Sequence, residues 1–338
     1  MNLISLPKIE LHCHLDGSVR PETIIDIAKK DEINIPSYDI QNIKRMVTAP
    51  LDCESLDEYL KRFQLPILVM QTKENLRRIA YELLEDSAKE NVKYIEVRFA
   101  PLLHREKGLS IEEIIESVLN GIKDAEKKYD IKGNLILSCL KTMPVDTVFD
   151  VVEGGKKFLG KGVAAIDLAG SENEGFSKEF IEPIALAKKY GYRITIHAGE
   201  TGIGKNVLEA IELLHAERIG HGIFIKDCAE AYKAVKEKGI TLEMCTTSNV
   251  QTKAVQSFNT HPIYDFYKDG IKVTVNTDNR TVSNTTMTNE FNILLDEFHI
   301  TYKDYKQIYY NSVNASFADL ETKEKLKKYQ PFFKRNNK

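Results

Sequence analysis

The stretch RITIHAGETGIGKNVLEAIELLHAERIGHG (193–222) holds one complete unit of the fold. A β-rich run, RITIH (193–197), leaves through glycine into NVLEAIELLH (206–215), whose apolar residues recur at helical spacing. The chain then returns to a second β-rich run, RIGHG (218–222). A strand, a helix and a strand in this order make a parallel crossover unit. Each of the two strands also ends at a histidine, His197 and His221.

The same alternation extends in both directions. Further strand candidates are KIELH (8–12), YIEVRF (94–99), LILSCL (135–140), VAAIDL (163–168), ITLEM (240–244) and KVTVN (272–276), bringing the total to eight. Helical patterns lie between them at 111–129, 179–191 and 228–239, and several close in a basic turn followed by glycine. Eight strands with intervening helices predict a (β/α)8 barrel, the TIM-barrel form of the α/β class, rather than an open doubly wound sheet. No internal repeat, low-complexity tract or linker divides the chain, so 1–338 reads as a single domain.

The roughly eighty residues between the first two strands, about 13 to 93, exceed one crossover helix and predict an elaboration on or beside the catalytic face. Within it, LDEYLKRFQLPILVM (56–70) places Leu56, Leu60 and Phe63 at helical spacing with Tyr59 adjacent. That pattern fits an ordinary packed helix first, with a lid packed over a ligand as the alternative. The basic tail KEKLKKYQPFFKRNNK (323–338) reads as a solvated terminal helix with a frayed end.

Composition narrows the function classes. The 338 residues carry 50 acidic against 47 basic side chains, a net charge of −3, so no basic field draws nucleic acid or an anionic membrane and a small-molecule partner is expected. The sequence leaves the oligomeric state open. Five cysteines, Cys13, Cys53, Cys139, Cys228 and Cys245, are scattered and form no CxxC pair, which points to reduced thiols in a cytoplasm. No apolar run approaches the ~18 residues of a membrane span, and the N-terminus lacks the apolar core of a signal peptide.

Eight histidines occur, and four stand at or just after strand ends. His12 and His14 form an H-x-H pair whose period-two spacing lets both rings face one way into a barrel mouth. His197 closes the fifth strand, His221 the sixth, and Asp278 stands beyond the eighth in VNTDN. Barrel enzymes carry their catalytic groups at these C-terminal strand ends, and imidazoles so clustered suit a borderline metal such as zinc. Glu200, three residues past His197, reaches the same mouth, where a buried carboxyl can give and take a proton. His104, His215, His261 and His299 lack that placement and read as structural or surface residues. His215-Ala216-Glu217 matches half of the cytidine-deaminase zinc signature, but the P-C-x-x-C half is absent.

The runs ELHCHLDGS (10–18), IEVRFAP (95–101), DLAGSE (167–172), TIHAGE (195–200), RIGHG (218–222), CTTSNVQT (245–252) and VNTDN (275–279) together resemble the adenosine deaminase family, in its order and over nearly the whole chain. The resemblance implies one zinc ion per chain held by His12, His14, His197 and Asp278, with a water completing the site. The fourth strand carries no lysine, in keeping with a single metal. It implies Glu200, His221 and Asp278 as catalytic groups: Glu200 protonating purine N1, His221 orienting the water, and Asp278 accepting its proton. The implied reaction is deamination of adenosine, and of 2′-deoxyadenosine, to inosine and ammonia in purine salvage.

For the substrate, the resemblance implies Asp16 at the ribose 5′-hydroxyl, the Gly170 backbone N–H at purine N3, Asn279 at N7, and Leu56, Leu60 and Phe63 as an apolar wall, with His14 also facing the substrate. The family's better-known members read TDD where this chain reads TDN, and Arg280 stands where proline is common, its contact unassigned. Asn279 is expected to keep adenine recognition, because an amide donates to an acceptor nitrogen at any pH. The alternative is a related deaminase acting on adenine or on a modified adenine nucleoside.

Overall fold

The computed structural model describes residues 1–329. Eight parallel strands lie in sequence order in one sheet: β1 (Lys8–His14), β2 (Val92–Phe99), β3 (Lys132–Leu140), β4 (Val163–Ala169), β5 (Arg193–Ala198), β6 (Arg218–His221), β7 (Thr241–Met244) and β8 (Lys272–Val275). The sheet curls until its ends meet. Leu11 N donates to Asn276 Oδ1, Asp278 N donates to His12 O at 2.9 Å, and His14 N donates to Asp278 O at 2.7 Å. The last ladder of the barrel is therefore made by the residues just past β8, and it carries Asp278 to the side of His12 and His14.

All eight strands stand where the alternation predicts, each with one end shifted by one to three residues. β1 runs to His14 rather than ending at His12, so both histidines belong to the strand itself. Its residues alternate between the interior and the helical layer, and this fixes both imidazoles on one side. The connecting helices cover the outer surface; the helix at Ile111–Lys128, for instance, starts at a capping box between Ser110 and Glu113 and buries Ile114, Ile115, Val118 and Ile122.

Between β1 and β2 the elaboration consists of helices Pro21–Lys30, Ile40–Val47, Leu56–Leu60 and Gln64–Val69, ahead of the crossover helix Lys73–Lys89. Ser55 caps Leu56–Leu60 by accepting from Glu58 N. Leu56, Leu60 and Phe63 pack with Ala49, Cys53, Tyr59 and Val282 in a small cluster separate from the main core. The terminal helix spans Leu320–Lys327, with Leu326 its buried residue; the expected frayed end lies outside the described residues. Among the described residues no helix is long and apolar enough to cross a membrane, and all five cysteines are free.

Candidate active site

The barrel interior is filled with charge below the mouth. Arg98 Nη2 donates to Glu243 Oε2 at 2.7 Å and lies 3.4 Å from Asp167 through Nη1, while Arg218 donates to Glu243 Oε1 at 2.6 Å and to Glu96 Oε2 at 2.5 Å. Isolated buried charges on this scale are very costly, but here each has an opposite partner and hydrogen bonds. Two carboxylate oxygens of this layer also meet the histidines of the mouth. Glu243 Oε2 meets His12 Nδ1 at 2.9 Å, and Asp167 Oδ1 meets His197 Nδ1 at 2.9 Å.

Those two contacts decide the chemistry of the rings. A carboxylate accepts a proton donor, so it holds the proton of each neutral imidazole on Nδ1 and turns the bare Nε2 toward the mouth. Three Nε2 atoms and one carboxylate oxygen converge there: His14 and His197 Nε2 are 3.2 Å apart, and Asp278 Oδ1 is 3.2 Å from His12 Nε2 and 3.4 Å from His14 Nε2. His12 Nε2 is buried without a hydrogen-bond partner. Lone pairs crowded in this way repel one another unless a cation lies between them. Ligands about 2.05 Å from a tetrahedral zinc would be separated by about 3.3 Å, so the donor set fits that ion. Gly220 permits the approach, since a Cβ there would lie 3.0 Å from His12 Cε1 and 3.3 Å from the His197 backbone.

His221 and Asp278 both adopt left-handed backbone conformations, with φ of 64° and 59°. Neither is glycine, and strain of this kind is held only where surrounding contacts impose it. It turns His221 Nε2 toward Glu200, 3.6 Å from Oε2. Burial, reinforced by the Asp278 and Glu172 carboxylates, pushes the Glu200 carboxyl up to about 8, so near neutral pH it holds a proton it can give.

Above the donor set lies a cavity of about 270 Å³. Its polar side is formed by His14, Asp16, Glu200, His221, Asp278 and Asn279, and its apolar side by Leu56, Leu60, Phe63, Ile67, Leu103 and Leu140. Gly170, in a left-handed turn with φ of 82°, lies at its rim. Every residue named from the sequence for metal, catalysis or substrate thus falls on this one mouth. The segment read as an ordinary packed helix, or else as a lid, packs its apolar face within its own cluster, and Leu56, Leu60 and Phe63 also line the cavity.

Asn279 Nδ2 donates to Tyr59 Oη at 2.9 Å, and Tyr59 Oη lies 2.6 Å from Ser283 Oγ. Gly17 makes room for this amide, for a Cβ there would fall 1.8 Å from Asn279 Oδ1. Arg280 does not line the cavity; it pairs with the buried Glu90 at 2.5 Å. A larger, open groove of about 860 Å³ is lined by Arg20, Lys44, Arg62 and Arg280, but Arg20, Arg62 and Arg280 are already paired with acidic side chains.

Sequence reading assigned no role to the residues behind the mouth. Asp167 and Glu243 fall inside strand candidates, and Asp167 and Glu172 inside the run DLAGSE (167–172). Glu172 accepts from the backbone N–H groups of Gly199, Glu200 and Thr201 and from Asn206 Nδ2, and so shapes the loop that carries Glu200. Lys141 Nζ donates to His197 O at 2.9 Å. The signal available for the charged interior was the alternation of Glu96 and Arg98 inside an apolar strand. Of the four histidines set aside, His215 and His299 are exposed, His104 is buried against Phe99, and His261 is buried near the mouth, bonded to Asn249.

Comparison with known proteins matches residues 7–329 to a family model described as adenosine deaminase. A protein of Clostridium botulinum (strain Okra / Type B1) named adenosine deaminase is 66% identical over 97% of this chain and 98% of its own. The structure of an adenine deaminase from Arthrobacter aurescens superposes with a TM-score of 0.90 at 26% identity, covering 98% of this chain and 100% of that one. An amidohydrolase from Burkhoderia ambifaria with bound zinc superposes at 0.87 and 26% identity, covering 98% and 92%.

Proposed function

The chain belongs to the adenosine deaminase family of hydrolytic deaminases, and we propose that this mouth converts adenosine and 2′-deoxyadenosine to inosine and ammonia with one zinc ion held by His12, His14, His197 and Asp278. The observation that carries the reading is the convergence of these four donor atoms beside a carboxyl that keeps its proton, under a cavity of nucleoside size. The zinc-bound state of a structural neighbour supports the choice of metal. When bound, the metal supplies positive charge that makes a water acidic enough to react near neutral pH.

The residues of the chain do the rest. Glu200 gives its proton to purine N1, which leaves C6 short of electrons. His221 hydrogen-bonds the oxygen that adds to C6, and Asp278 takes the proton that this oxygen gives up. Asp278 passes that one proton to the amino nitrogen, the C6–N bond breaks and ammonia leaves, and C6 keeps the oxygen as a carbonyl once its remaining proton has returned to Glu200. Asp16, buried and pushed up to about 7 by that burial, faces the ribose 5′-hydroxyl. The Gly170 N–H faces N3. Asn279 spends one Nδ2 hydrogen on Tyr59 and offers the other to N7.

The test is to incubate the purified protein, with zinc quantified in the same sample, with adenosine and separately with adenine, and follow purine absorbance. Conversion of adenosine alone, lost on chelation, is the expected result. Conversion of adenine alone would overturn the nucleoside reading in favour of the activity named for the Arthrobacter neighbour. Asn279→Ala is expected to lower kcat/KM for adenosine about tenfold, the loss of one hydrogen bond to a purine acceptor; an unchanged value would remove Asn279 from recognition.

A further inference from the structure

A hydrogen-bond chain with a single possible direction runs into the back of His221. It begins at the Ile263 N–H, which can only donate, and which lies 3.2 Å from His261 Nδ1. That ring nitrogen must therefore be the bare one, and the proton of neutral His261 sits on Nε2. His261 Nε2 lies 3.1 Å from Asn249 Oδ1, so the amide oxygen accepts. The other end of the amide is then obliged to donate, and Asn249 Nδ2 lies 3.0 Å from His221 Nδ1. His221 thus has its Nδ1 lone pair occupied and its proton on Nε2, the nitrogen that faces Glu200 and the cavity.

The members of this chain are buried together. Asn249 is fully buried, His221 is 1% and His261 2% exposed, so no solvent competes for these bonds. Burial also holds the His261 imidazole neutral, at about 3, which keeps a second proton off that ring. Asn249 lies on the short helix Thr246–Gln251 that follows β7, and His261 follows the turn Phe258–Thr260. Neither reaches the cavity.

We propose that Asn249 and His261 are positioning residues that lock His221 as an Nε2–H donor, so that it gives a hydrogen bond to the oxygen adding at purine C6 rather than taking a proton from it. The proposal rests on the deaminase reading of the mouth and adds a direction to the part His221 plays. Had the amide been reversed, a lone pair on Nε2 would face the attacking oxygen, and a donor aimed where negative charge grows would be lost. It also gives a use to the CTTSNVQT run and to a histidine whose position in the sequence marks it as ordinary.

Nitrogen NMR of the zinc-loaded, full-length protein with 15N-labelled histidine reads the tautomer directly. The expected spectrum of the wild type shows His221 with a protonated Nε2 and a bare Nδ1. In Asn249→Asp the side chain can only accept, so His261 keeps its bond while His221 must protonate Nδ1. The expected result is an inverted tautomer, a kcat about 100-fold lower and a KM within about threefold of wild type, the loss of one oriented donor.

Asn249→Ala, which frees the ring, should give mixed tautomers and a smaller loss. The rate must follow the Nε2 proton across the series. A wild type with a bare Nε2 overturns the proposal, as does any variant with a bare Nε2 that turns over at the wild-type rate. A wild type that binds zinc but leaves adenosine unchanged overturns the deaminase reading, and the NMR arm then decides the tautomer by itself.

Discussion

Glu200 and His14 line one mouth and separate its two tasks. Glu200→Gln keeps the shape and the hydrogen-bonding reach of the side chain but has no proton acidic enough to give to N1. It is expected to bind metal at the wild-type stoichiometry and to lose between about 10²- and 10⁴-fold in kcat, the range for a general acid. Turnover near wild type in steady-state assays would remove proton donation by Glu200 from the mechanism. His14→Ala removes one of four converging donors, and metal analysis after dialysis should show far less than one zinc per chain.

At the scale of elements, the loop after β5 owes its shape to β4. Glu172, at the end of the turn that follows β4, collects three backbone N–H groups of the 199–201 loop on one carboxylate. In Glu172→Gln the amide must turn one N–H toward a backbone donor, and one bond becomes a clash. The expected consequence is a kcat about tenfold lower, at unchanged zinc content, because the proton on Glu200 no longer meets N1 squarely. Loss of zinc instead would place the effect on the donor set.

The strands themselves were legible because a parallel barrel strand is a short β-rich run bounded by glycine, whichever residues lie beside it. Their inward charges were not, since Glu96 and Arg98 in isolation look like the polar face of an exposed strand. Only closure of the sheet turns that face into an interior where Arg98 and Glu243 meet.

For the molecule as a whole, burial sets how it responds to acid. His104 and His261 are buried and held near 3, well under the ~6.5 of an exposed histidine. Below about pH 6.5 the unfolded chain binds protons that the folded one refuses, so stability is full above that pH and falls as pH drops toward 3. Each such histidine contributes a slope of about 1.4 kcal/mol per pH unit across that window. His104→Leu, at a site packed on Phe99, should reduce the acid slope by about that much. Urea midpoints measured from pH 7 to pH 4 test this, and an unchanged slope would mean that His104 titrates freely.

What the sequence determined unaided was the order of strands and helices, the eight-stranded closure, and the identity of the residues at strand ends. These follow from local spacing, which a linear chain carries in full. It also marked His12, His14, His197, Asp278 and Glu200, because strand ends of a barrel share one rim whatever lies between them. Only the tertiary structure decided which nitrogen of each ring bears the proton. That choice depends on Glu243 for His12, Asp167 for His197 and Asn249 for His221, groups remote in sequence from the histidines they meet. A proton goes to the side where an acceptor waits, and that side is set by packing in three dimensions.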